Sequence, residues 1–103
     1  MFKITTQIAT DVAPSYLYKL CKHFAKKIPA TWADDHLSGM ASFEWGTTIF
    51  RAAVEGLHIE CISPDHASLE RLSNVVGQHV ELLTRKNPAP IVWSGAEPSH
   101  GAA

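Results

Sequence analysis

The sequence predicts an α+β fold, a two-layer sandwich with two helices packed on one face of a mainly antiparallel sheet. Three observations lead there. Apolar residues alternate with a period of two over 2–9 and again over 30–62, the signature of half-buried strands. Two other segments carry a single apolar stripe at helical spacing, so each helix has one face to bury. The chain has 103 residues, 46% hydrophobic and 18% charged, which suits one globular core.

The elements follow in order. Phe2, Ile4, Thr6 and Ile8 alternate with Lys3, Thr5, Gln7 and Ala9, giving a first strand with one inward face. Asp11 and Pro14 open a helix, because proline is tolerated in a first turn. Leu17, Leu20, Cys21, Phe24 and Ile28 form its stripe, with Lys19, Lys22 and Lys26 opposite, and Pro29 stops it. A meander follows, punctuated by Asp34-Asp35, Gly46 and Gly56. A two-residue loop at Glu55-Gly56 sets Val54 against Leu57, Ala52 against Ile59, Phe50 against Cys61 and Arg51 against Glu60. A turn at Trp45-Gly46 likewise sets Phe43 against Thr48 and Ala41 against Phe50. Both registers put apolar residues on one face and Arg51, His58 and Glu60 on the other. Ser63 as N-cap and Pro64 at the first helical position start the second helix. Its stripe is Leu69, Leu72, Val76, Val80 and Leu83, and it ends near Lys86-Asn87. Ile91-Val92-Trp93 then docks, making residues 1–95 one domain and 96–103 a tail. The resulting order, β-α-β-β-β-(β)-α, is similar in element order to TBP-like folds, an analogy of architecture without function.

Composition narrows the function classes. Nine basic and ten acidic residues leave a net charge of −1, which gives no electrostatic reason to expect nucleic acid. The first residues lack the apolar run of a signal peptide and no stretch is long enough to span a bilayer, so a cytoplasmic protein without membrane insertion is expected. There Cys21 and Cys61 stay reduced, and both fall on apolar stripes as small buried hydrophobes.

Three residues stand out as ligand-pocket candidates: His23, His79 and Tyr16. His79 sits in the apolar stripe of the second helix, where a histidine is ordinarily bonded to a backbone carbonyl. His23 lies on the flank of the first helix beside Tyr16 and Lys27, about 200° from Cys21, so that pair cannot chelate one metal. If His23 and His79 meet between the helices, two imidazoles line a small pocket able to hold a ligand or move a proton. No cofactor, metal site or catalytic residue is evident, and no phosphate loop, nucleophile elbow or zinc-protease motif is present.

The stretches "YLYKLCKHFAKK", "FEWGT" and "LERLSNVVGQHVE" resemble the bacterial family known as domain of unknown function 2218, over nearly the whole chain from Thr5 to Trp93. Cys21, His23 and His79 are the matching positions. This chain has Lys26 where members often carry a second histidine, and Leu82-Leu83 where they often carry Arg-Phe. The resemblance implies a bacterial source and, through relatives found beside or fused to siderophore-interacting flavin reductases, a role near iron handling with such a reductase as partner. An aldolase name carried by some relatives fits poorly, because that chemistry needs a barrel larger than 103 residues can build. The expectation is a small accessory or ligand-binding module. The alternatives are an interaction domain that homodimerises through a sheet face or edge, and a small enzyme using the histidine pair.

Overall fold

The computed structural model describes residues 1–84, 91 and 93, and the backbone of 94–98. Its elements are β1 (Phe2–Ala9), α1 (Ala13–Phe24), β2 (Ala30–Trp32), β3 (Ser38–Phe43), β4 (Gly46–Ala53), β5 (Gly56–Ser63), α2 (His66–Leu83) and β6 (Ser94–Pro98). The six strands form one antiparallel sheet in the order β2-β3-β4-β5-β1-β6. Strands β2 to β5 are the expected meander. β1 is internal, paired with β5 on one side and β6 on the other. The last three residues of β6 fall in the segment whose composition suggested a tail. The expected helix end near Lys86-Asn87, and Val92, lie outside the described residues.

Alternation decides which face is covered. Ile4, Thr6 and Ile8 of β1, Ala41 of β3, Phe50 and Ala52 of β4, and Leu57, Ile59 and Cys61 of β5 are buried on one side. Both helices lie over that side. α1 contributes Ala13, Leu17, Leu20, Cys21 and Phe24, and α2 contributes Leu69, Leu72, Val76 and Val80. Each large aliphatic side chain so buried is worth roughly 1.5–3 kcal/mol, which is why the stripes fix where the helices dock. Ile91 and Trp93 pack half-buried against the same core.

The structure corrects both hairpin registers by two residues. Ala53 pairs with Gly56, so the loop between β4 and β5 is Val54-Glu55, and Val54 is 97% exposed. Ala52 faces Leu57, Phe50 faces Ile59, and Arg51 faces His58 rather than Glu60. Likewise Phe43 pairs with Gly46, Ala41 with Thr48, and Gly39 with Phe50, around a Glu44-Trp45 loop. In each hairpin the glycine opens the returning strand instead of closing the loop. A Cβ at Gly56 would run into the Ile8 carbonyl, and one at Gly46 into the Ile62 carbonyl and the Ser63 hydroxyl. The glycines are demanded by a third strand pressing close, which no reading of the hairpin itself contains. A shift of two preserves every side chain's face, so Arg51 and Glu60 still share the outer side.

The helix ends differ too. α2 is capped by Asp65, whose Oδ1 accepts the Ser68 N–H at 2.7 Å, rather than by Ser63. Ser63 ends β5, fully buried, and its hydroxyl donates to the Trp45 carbonyl at 2.8 Å. α1 stops at Phe24, well before Pro29. Its final turn tightens, with Lys26 N–H donating to the His23 carbonyl and Lys27 N–H to that of Phe24.

Candidate functional site

The cleft between the helices is built from the sequence positions that carry the stripes' polar interruptions. Leu20 and Phe24 lie one turn apart and buried on α1, which sets His23 between them at the stripe's edge, exposed. On α2, Val76 and Val80 are buried and His79 sits beside them, half-buried, with Leu82 and Leu83 one turn on. Where the helices approach, the rings of His23 and His79 come to 4.7 Å between centroids, tilted by 56°. Phe24 backs the pair, its centroid 4.7 Å from that of His79 and 6.2 Å from that of His23.

The cleft has a volume of about 260 Å³ and is lined by Lys19, Leu20, His23, His79, Leu82 and Leu83. Its walls are leucine and its polar groups are an ammonium and two imidazoles. His79 Nδ1–H donates to the Val75 carbonyl, one helical turn back, at 2.7 Å. That bond fixes the ring and the tautomer, so ligand chemistry falls to Nε2. The pKa of His23 is held below its ordinary value, first by desolvation and then by the positive fields of His79, Lys26 and Lys27. His23 therefore prefers to be neutral until something negative joins it.

The histidine pair thus meets as the residue pattern suggested, and His79 makes the backbone bond expected of a histidine in an apolar stripe. Tyr16 does not join them. It lies half-buried against the core, two turns from His23, and is absent from the cleft's lining. Lys19, which spacing places on a solvated face, is exposed and also lines the cleft. The signal was available, since Lys19 and His23 are four residues apart and share a helix face.

Other chemistry-bearing residues are accounted for by packing. Burial pushes the Cys21 thiol up to about 11, against a lowering contact from the Met40 backbone. Burial likewise pushes the Cys61 thiol up to about 12, although a contact with the Thr48 hydroxyl at 3.7 Å works the other way. Both stay protonated and unreactive at neutral pH. On the open side of the sheet a second depression, of about 340 Å³, is lined by Thr5, Thr6, Gln7, Arg51, His58, Ile59 and Glu60. Among the described residues no group of three or more His, Cys, Asp or Glu side chains could hold a metal ion, and no helix is long and apolar enough to cross a membrane.

Comparison with known proteins agrees with the fold and supplies a family without an activity. No curated protein matches the chain. Among solved structures it is similar to PA4090 from Pseudomonas aeruginosa, determined by NMR, at 28% identity and a TM-score of 0.79, covering 95% of this chain and 100% of that one. The model of an uncharacterized protein family conserved in bacteria, domain of unknown function 2218, matches residues 5–94, and the chain belongs to that family.

Proposed function

We propose that this protein is a small cytoplasmic binding module whose ligand sits in the cleft between α1 and α2, with an accessory role in iron or siderophore handling beside a flavin reductase. The observation that carries the binding reading is the His23–His79 pair, 4.7 Å apart at a leucine-walled cleft of about 260 Å³. Concave sites with apolar walls and a few convergent polar groups are where small molecules bind. Two imidazoles and an ammonium give such a site recognition groups, and binding rather than turnover is the simpler use of them. The iron and reductase part rests on the family resemblance. The test is an NMR titration of the imidazole C–H resonances with zinc, ferrous iron and a ferric siderophore, with His58 on the sheet face as internal control. Saturable movement of His23 and His79 together on adding the ferric siderophore, with His58 unmoved, is expected. Indifference of both to all three additions would remove the iron-handling part of the reading.

A second reading, homodimerisation, is favoured by one observation. Among the described residues no helix covers the outer sheet face, where Met40 and Ile49 face each other across β3 and β4, and Met40 is 41% exposed. Sedimentation over a range of concentrations would reveal it, and Met40→Lys should then restore the monomer.

A further inference from the structure

We infer that the inter-helix cleft takes a small anion with an apolar body, of which a carboxylate on a short hydrocarbon chain is the simplest example. The inference rests on the binding module proposed above and adds the chemical class of its ligand. Charge selects the head. The polar lining groups, Lys19, His23 and His79, are all cationic or able to become so, and among the described residues no carboxylate lines the cleft. Lys26 and Lys27 add positive potential at His23 from the turn after α1. With Nδ1 of His79 tied to the Val75 carbonyl, a protonated Nε2 is a donor that a carboxylate can accept from.

Shape and polarity select the body. Leu20 of α1 and Leu82 and Leu83 of α2 form the walls, and Leu82 is 66% exposed, an aliphatic surface that a ligand chain would cover. The volume of about 260 Å³ lies just under the roughly 300–1,000 Å³ of ordinary small-molecule pockets, so the ligand is small. The same lining disfavours a bare cation, since His23 already lies in the positive fields of Lys26 and Lys27. The depression on the sheet face, though larger, has Glu60 in its own lining to oppose an anion.

The experiment follows the His23, His79 and His58 imidazole resonances of the full chain against hexanoate, hexanamide, hexylamine, zinc and a ferric siderophore, each alone. Hexanoate should move His23 and His79 saturably and leave His58 in place, while hexanamide and hexylamine should move neither. Leu82→Glu puts a carboxylate at an exposed cleft position and should abolish the hexanoate response without altering the amide spectrum of the sheet. Lys19→Gln should weaken hexanoate by about threefold, the scale of one exposed charge pair. Equal binding of hexanamide would overturn the anionic class and leave the cleft a binding site. So would silence toward hexanoate combined with a response to zinc or the ferric siderophore. Silence toward all five would remove the inference and the binding reading together.

Discussion

On the outer sheet face His58 Nε2 donates to Glu55 Oε1 at 2.9 Å, with Arg51 paired opposite it and Glu60 two residues along β5. In the inter-helix cleft His23 and His79 meet each other instead, with Lys19 in the same lining. The two places use the same residue type to opposite ends. The sheet face settles its charges within the protein, and the His58 contact holds the Glu55 carboxyl below its ordinary value. The cleft gathers positive or protonatable groups with no counter-charge among the described residues, and desolvation first, then those positive fields, hold the His23 pKa below its ordinary value. A histidine already paired with a carboxylate has its interaction in place. A histidine whose charged form is disfavoured, first by desolvation and then by like charges, is poised for a ligand that brings the missing charge.

The contrast can be broken most forcefully from behind the cleft. Phe24 is 5% exposed and packs against His79, Phe43 and Phe50. Phe24→Ala should cost about 3–5 kcal/mol in urea denaturation, and where the fold survives it should disturb His23 and His79 and spare His58. His79→Ala should cost about 1–3 kcal/mol, through its lost carbonyl bond and packing. His23→Ala, at an exposed position, should stay within about 0.5 kcal/mol yet abolish ligand binding. Equal destabilisation by the two histidine changes would show both to be structural.

Acid should separate the two regions by window. An imidazole whose folded pKa lies below its unfolded value binds fewer protons when folded. Stability linked to His23 is therefore fully present above its ordinary value of 6.5 and falls as pH drops below it. Glu55 is depressed from 4.5, so its contribution is present above 4.5 and is lost at lower pH, as the carboxylate protonates. Denaturation midpoints from pH 8 to 3 should show the upper decline vanish in His23→Ala and the lower one shrink in Glu55→Gln.

Much of this arrangement is legible in the residue pattern, and the misses share a cause. Alternation placed Ile4, Phe50 and Ile59 on one face correctly, because a half-buried strand writes its burial into its own sequence. The stripe puts His79 where a histidine is ordinarily bonded to a backbone carbonyl, and it bonds that of Val75. The hairpin registers escape the residue pattern because Gly46 and Gly56 answer to Ile62, Ser63 and Ile8, residues on other strands. An error of two residues is invisible to alternation, which repeats with that period. Ser63 looked like a helix cap because the same hydroxyl serves a cap or, as here, a buried carbonyl in a neighbouring turn. Tyr16 shares a helix flank with His23, but α1 lines the cleft with Lys19, Leu20 and His23 and not with Tyr16. The place of β1 between β5 and β6 depends on pairing across the whole chain.

The claim that the cleft lacks a counter-charge and binds a ligand that supplies one is tested most directly by the pKa of His23. It is read from the imidazole C–H shift between pH 5 and 8, with and without saturating hexanoate. An anion beside the ring stabilises its charged form, so the depressed pKa of His23 should rise when hexanoate is bound, and the His58 titration should not move. A His23 pKa that stays put or falls further in the presence of hexanoate, or a shift confined to His58, would contradict the account.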